Sequence, residues 1–386
     1  MKRKKFLVYG WMLSAVLLLS SILLLINMYF QEKEQEKAIK VHYVAKMQAT
    51  RTSIPVEKTL DEKIFVEKAT LAAIGDILIH DWLYEDAKTK NGYDFKPMLK
   101  EVKPLLLKPD LLLANQETVL GGTKLGLSSY PLFNSPQEVG DAFIDAGVDI
   151  VSTANNHSLD KGEKGIFAAI DYYHKANLPY VGSFKDKKDQ QTLRILNANG
   201  IRVAYLSFTY GTNGIQIPPG KEYLVNLIDR LKMKNEIQRA KQEADIVVIS
   251  IHWGNEYQRF PSEKQKQLAR FLSNEGADII FGHHPHVLQP MDWIKANDGR
   301  KTLVVYSLGN FLSGQMWDYK DIGGIATVEV TKHVSPSGTK IELSNPQFIP
   351  TFVKNSHLRN YQVVPLQTIG TAKYNEIMEH MTQWLR

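Results

Sequence analysis

An α/β sandwich is the fold class predicted by this 386-residue sequence, and two observations predict it. Short apolar runs of strand length alternate with amphipathic stretches of helical spacing, the pattern of strands buried on both faces and connected by helices. The polar clusters fall directly after the apolar runs, where ligands bind in open α/β sheets.

The runs, in order, are LAAI before Gly75, LLLA before Asn115, DIVSTA before Asn155, RVAYLSF, ADIVVISI before His252, ADIIF before Gly282 and TLVVYS before Leu308. Between them, Ile166, Ala169, Ile170 and Tyr173 share one helical face. The stretch PSEKQKQLARFLSNEG carries Pro261 near its start and Gly276 at its end, a start and a stop signal. GGIATVEV and TKIELS have no helix between them, which predicts an antiparallel pair. A last helix from about Ala372 places Tyr374, Ile377, Met378, Met381 and Trp384 on one face, to pack on the domain or to meet a partner.

The N-terminal part is of another kind. Residues 6–30 carry no charge over 25 positions, more than the roughly 20 needed to cross a hydrocarbon core. Lys2, Arg3, Lys4 and Lys5 precede them and QEKEQEK, with three glutamates against two lysines, follows, so the positive-inside rule leaves the N-terminus in the cytoplasm. The expected organisation is a cytoplasmic tail (1–5), a transmembrane helix (6–30), a charged stalk (31–65), an extracellular domain (66–356) and a C-terminal helical tail (357–386). A cleaved signal peptide is the alternative, but the apolar run exceeds the usual length and no A-x-A site follows it.

Composition narrows the chemistry. The chain has no cysteine, so any metal must sit on histidine, carboxylate or amide ligands. The formal charge of +6 draws on the four cations ahead of the apolar run, and the outer portion is close to neutral without a basic face. Nucleic acid is therefore not an expected partner.

The clusters are GDILIH (75–80), NQET (115–118), NNHSLD (155–160), HWGNE (252–256) and GHHPH (282–286). Taken singly each has an ordinary explanation: Gly75-Asp76 as a turn, Asn155 and Asn156 as loop residues tolerating left-handed geometry, His252 as a hydrogen-bonded core histidine. Five strand ends bearing metal-type or acid–base side chains are harder to dismiss. Pro285 biases His284 toward extended backbone, where residues two apart share a side; His284 and His286 are then expected to aim at one centre, with His283 pointing away. The same reasoning puts Asn115 and Glu117 together and Gln116 opposite. Carboxylate, carboxamide and imidazole suit a divalent ion such as Mn, Fe, Zn or Mg.

GDILIHD, NQE, TANNHSLDKG, HWGNEY, GHHPHVLQP and VYSLGNF, in this order over roughly residues 70 to 315, resemble the bacterial capsule-synthesis CapA/PgsA family of poly-γ-glutamate capsule proteins. That family resembles the calcineurin-like metallophosphoesterases. The resemblance implies a four-layer α/β/β/α sandwich with a site for two divalent metal ions. It also implies a membrane-anchored, outward-facing protein working beside capsule-polymer synthase and export subunits, with an anionic polymer or phosphoester as substrate. By position, Asp76 resembles the first-motif aspartate, Glu117 the bridging carboxylate, Asn156 with His157 the asparagine–histidine pair, His252 the fourth-motif histidine, and His284 with His286 the closing pair.

Two departures stand out. The Asp-x-His of the phosphoesterases becomes Asp76-Ile77-Leu78, and the family's usual Gly-Arg becomes His80-Asp81. On a continued strand His80 would lie ~13 Å from Asp76, too far to share an ion unless the chain turns back. Asn115, His80, His283 and Asn310 are further candidates. In a catalytic reading His157 protonates the leaving group and Asp160 orients its ring. In the other reading the protein is an accessory subunit whose site binds without turnover. An extracellular nucleotidase is less well matched, because no separate substrate domain follows the metal domain.

Overall fold

The structure is a computed structural model that describes residues 64–385. The expected tail, the transmembrane segment and nearly all of the stalk lie outside the described residues. Among the described residues no helix is long and apolar enough to cross a membrane.

Two mixed sheets make up the molecule. The first contains β1 (Phe65–Leu78), β4 (Leu111–Gln116), β5 (Ile150–Ser152), β6 (Tyr180–Val181), β14 (Ile322–Ser335), β15 (Gly338–Ser356) and β16 (Arg359–Pro365), in the order β16-β15-β14-β1-β4-β5-β6, with β13 (Asn310–Ser313) also paired to β1. The second contains β7 (Arg194–Ala198), β8 (Ile201–Thr209), β9 (Ile246–His252), β10 (Ile279–His283), β11 (Leu288–Lys295) and β12 (Lys301–Leu308), in the order β11-β12-β10-β9-β8-β7. A two-residue ladder joins β2 (Lys88–Thr89) to β3 (Gly92–Tyr93). All seven predicted apolar runs are strands, and β14 and β15 pair antiparallel as expected.

Strand order fixes where the helices go. β1, β4, β5 and β6 are parallel and step in one direction, as do β8, β9 and β10. Right-handed crossovers stepping one way put every connecting helix on one face of the sheet, leaving the other face for the second sheet. The side chains follow this division. Val203, Tyr205, Ile246, Val248, Ile279, Phe281, Leu303 and Val305 join the core shared with the first sheet. Their neighbours Ala204, Leu206, Val247, Ile249, Ile280, Val304 and Tyr306 pack against Met233, Ile237 and Ala240 of the helix Arg230–Glu243 and Ala269 and Leu272 of the helix Glu263–Glu275. Successive strand residues point to opposite faces, so runs buried on both faces lose the polar alternation of a half-exposed strand.

The helix over residues 166 to 173 spans Gly162–Ala176 and buries Ile166, Ala169, Ile170 and Tyr173. The PSEKQK helix opens on a Ser262–Gln265 capping box and closes at Gly276, satisfying orphan backbone groups at its N-terminus. The segment expected to be a helical tail from 357 differs: Arg359–Pro365 first adds a strand to the edge of the large sheet through β15. The helix Thr371–Thr382 then packs on the domain, burying Ile377, His380 and Met381, with His380 Nε2 3.1 Å from the Leu288 carbonyl. Trp384 lies beyond this helix and bridges to Asp292.

Candidate metal site and proton-transfer dyad

The site forms where the carboxyl ends of the two sheets' strands meet. Asp76 does not follow β1 but lies inside it, at a break in register beside Gly75. A Cβ on Gly75 would stand 2.0 Å from the Gly309 carbonyl oxygen; the close approach glycine permits here is to backbone. Asn115 Nδ2 donates to Asp76 Oδ1 at 2.8 Å while Ser152 Oγ donates to Asn115 Oδ1 at 3.0 Å. Asn115 thus steadies the carboxylate with an N–H. Glu117 is fully buried just past β4, with His252 Nε2 3.5 Å and His286 Nε2 3.7 Å from its Oε1.

The GHHPH segment corrects the expected geometry. The strand stops at His283, and His284 and His286 both take positive φ, 95° and 57°, so the extended alternation ends before Pro285. His284 and His286 still converge, their ring centroids 5.9 Å apart. His283 does not point away: strand alternation puts it with Ile279 and Phe281, facing the first sheet, and its Nδ1 lies 3.3 Å from Asp76 Oδ1. All three histidines therefore border Asp76; His286 Nδ1 is 3.1 Å from its Oδ2, and the His284 backbone N–H donates to the same oxygen at 3.3 Å.

Two groups of donor atoms result, Asp76, Glu117 and His252 in one and Glu117, His284 and His286 in the other, each with its atoms within 4.8 Å of one another. Glu117 belongs to both. Asn156 adds its amide oxygen, 2.7 Å from His252 Nε2, and its Nδ2 donates to Asn213 Oδ1 at 3.2 Å, which fixes the direction of the amide. The residues fit a divalent cation on a specific observation. Neither oxygen of buried Glu117 receives a hydrogen bond, nor do Nδ1 of His252 and of His284 have partners. Burying such groups without partners costs about 1–3 kcal/mol each, more if charged.

The electrostatics point the same way. Burial, then the Asp76 carboxylate, pushes Glu117 up to about 8. Burial also opposes ionisation of Asp76, but the imidazoles of His283 and His286 outweigh it and hold that carboxyl well below the ordinary range. Burial would lower His286, yet Glu117 and Asp76 raise it to about 9. Burial, then His252 and His286, brings His284 down to about 2, and burial holds His252 well below its usual value. His252 and His284 are thus kept neutral, with the lone pairs a metal requires.

Beside this cluster His157 Nδ1 lies 2.7 Å from Asp160 Oδ2, an oxygen that also accepts from the Phe133 backbone N–H at 2.7 Å. Asn155 Oδ1 accepts from the His157 backbone N–H at 2.9 Å, and the Phe133 ring meets the imidazole edge-on at 4.8 Å. Neither Asn155 nor Asn156 adopts positive φ; Asn155 braces His157, while Asn156 turns its amide oxygen toward His252. With Nδ1 engaged by Asp160, Nε2 is the ring nitrogen left for other contacts.

His80 stands apart from both donor groups. It precedes the helix Asp81–Asp86, stacks on Trp82 at 5.1 Å and meets Phe133 edge-on at 5.2 Å; burial lowers it to about 4. Asn310 is brought in, its Oδ1 3.1 Å from His286 Nδ1 and its Nδ2 donating to Gln315 Oε1 and the Lys320 carbonyl. No sequence signal marks Phe133, Asn213, Gln315 and Lys320. They lie in irregular segments with no periodic signal. Tyr210, 4.6 Å from the His284 ring, was likewise unmarked at the end of a strand.

Two stacked mixed sheets with a buried carboxylate–imidazole–amide centre at their strand ends define an α/β protein with a metal-type site. The profile of the family described as "Bacterial capsule synthesis protein PGA_cap" matches residues 70–315, and the chain belongs to that family. It is 32% identical over 308 residues to "Capsule biosynthesis protein CapA" of Bacillus anthracis, covering 76% of this chain and 70% of that protein. To "PGA biosynthesis protein CapA" of Bacillus subtilis (strain 168) it is 31% identical over 308 residues, covering 74% and 75%. Among solved structures, the NAD nucleotidase of Haemophilus influenzae superposes with a TM-score of 0.46 at 15% identity, covering 82% of this chain and 57% of that one.

Proposed function

We propose that this protein is a membrane-anchored, outward-facing hydrolase of capsule synthesis, of the poly-γ-glutamate type, that uses divalent metal ions. Asp76, Glu117, Asn156, His252, His284 and His286 would hold the ions, two by the family resemblance. Bound there, a Mn, Fe, Zn or Mg ion supplies Lewis-acid polarisation and lowers the pKa of water. The chain's own contribution to bond cleavage is His157, which in its doubly protonated form gives its Nε2 proton to a departing oxygen, while Asp160 accepts the Nδ1–H and orients the ring.

The observation that carries the reading is the 2.7 Å contact between His157 and Asp160 beside the donor cluster. A site that only binds needs no oriented proton donor. The substrate class follows from the family and the chemistry together: a phosphoester, or a linkage or end of the anionic capsule polymer, met beside synthase and export subunits. The uncharged run at residues 6–30 supports anchoring, with the N-terminus in the cytoplasm.

One departure favours a second reading, an accessory subunit that binds polymer or synthase without turnover: Leu78 stands where a phosphoesterase carries a histidine. Capsule output of cells making His157→Asn protein, normalised to its surface level, separates the two. The hydrolase reading expects output to collapse with metal content unchanged. Wild-type output would leave only the accessory role.

A further inference from the structure

We propose that His283 is a metal ligand at the Asp76 position and takes the place of the histidine missing at Leu78. The inference rests on the metal site of the hydrolase reading and adds a residue to it.

Three observations carry it. His283 is fully buried, and neither of its ring nitrogens has a hydrogen-bond partner. Buried imidazole nitrogens in folded proteins are nearly always hydrogen-bonded, so a buried ring whose Nε2 has no partner and whose Nδ1 meets only a carboxylate calls for a cation. Its Nδ1 is 3.3 Å from Asp76 Oδ1, across the gap between the two sheets. It also stands beside His252 in the β9–β10 register, and His252 already shares a donor group with Asp76 and Glu117. The ring's direction is set by the strand and not by a mobile loop: Trp253 N–H donates to the His283 carbonyl at 3.1 Å, and Phe281 two residues earlier faces the same core.

The consequence is a change of ligand class. With His283 the centre draws on four imidazoles, those of residues 252, 283, 284 and 286. Imidazole suits Zn, Fe, Cu and Ni, whereas Mg and Mn favour carboxylate, carbonyl and water. The centre should therefore retain a transition metal in the presence of excess Mg²⁺.

The test is metal stoichiometry in the full chain. Protein stripped with a chelator is titrated with Zn²⁺ in the presence of Mg²⁺, and bound Zn is counted by native and by inductively coupled plasma mass spectrometry. His283→Ala and His283→Gln should each lose one of the wild-type equivalents, with circular dichroism confirming the fold; Gln keeps the volume and a donor for Asp76 but is a poor ligand. As a readout independent of any variant, anomalous diffraction from Zn-soaked wild-type crystals should place an ion about 2.1 Å from a His283 ring nitrogen, the usual zinc–imidazole distance. Undiminished stoichiometry in both variants, or an ion beyond reach of His283, overturns this inference alone. A wild-type chain that takes up no Zn overturns the hydrolase reading and this inference with it.

Discussion

Asp76 and Asn310 stand side by side across the parallel β1–β13 ladder, although the chain reaches Asn310 directly from the last strand of the other sheet. The switch happens at Gly309, whose carbonyl accepts from the Asp76 N–H at 2.8 Å. Two sheets are thereby joined at the point where two site residues meet, and the VYSLGNF motif is the joint. Gly75 makes this possible, since its absent Cβ would lie 2.0 Å from the Gly309 oxygen and 2.7 Å from the Leu308 oxygen.

Gly75→Ala should therefore be costly, because the clashing atoms are backbone and cannot rotate away. We expect a loss of about 2 kcal/mol or more in equilibrium unfolding, together with reduced metal uptake as Asn310 separates from Asp76. Gly211 has open space at its Cβ position and no positive φ, so Gly211→Ala should stay within roughly 0.5 kcal/mol. Equal stabilities for the two variants would show that the joint tolerates displacement.

Much of the fold was legible because buried strands and amphipathic helices leave periodic traces. LAAI, LLLA and ADIVVISI read as strands for the reason they are strands: each is apolar on both faces. The site residues were legible as clusters after such runs. Their directions were harder. The inference that His283 turns away assumed alternation continued through Pro285, whereas positive φ at His284 and His286 ends it. The bulge at Gly75 was invisible because it depends on a segment more than 200 residues distant. Braces such as Phe133 and Asn213 act through single hydrogen bonds or ring contacts from irregular loops, and no local pattern marks them.

Glu117 yields a prediction in which metal reverses the sign of an effect. Its carboxyl is raised to about 8 in the fold, against an ordinary value near 4.5. The unfolded chain therefore holds the ionised form more readily. Stability falls as pH rises from the unfolded value toward the folded one. In chelator at pH 7, Glu117→Gln should be more stable than wild type by at least about 1 kcal/mol, and the difference should shrink toward pH 5. Added Mn²⁺ should raise the wild-type melting temperature and leave the variant unmoved, since only binding to the folded state stabilises. A wild-type advantage in chelator would mean that Glu117 has a protein partner in solution.

Topology is tested from outside. Protease added to intact cells should remove the chain beyond Gln31 and spare the uncharged segment at residues 6–30. Protection of the domain, or its release as a soluble fragment beginning near residue 31, would contradict the anchored, outward-facing arrangement.

His157 and Asp160 should behave as one unit. Asp160 Oδ2 receives both the Phe133 N–H and the His157 ring, so it fixes imidazole and loop at once without entering either donor group. His157→Asn should lower phosphodiester turnover by about 10² to 10⁴-fold, the usual contribution of one acid–base group. Asp160→Asn, acting only through the ring, should cost about 10 to 100-fold. The double variant should fall no further than His157→Asn alone, because a positioning residue has nothing left to position. Metal content should remain at the wild-type level in all three. The leaving group gives a second, independent readout. A nitrophenolate departs without protonation, so the His157→Asn deficit should be small with bis(4-nitrophenyl) phosphate and full with an alkyl diester. Multiplicative losses in the double variant, or equal deficits for both leaving groups, would exclude His157 as the proton donor and leave the pair as a structural brace of the Phe133 loop.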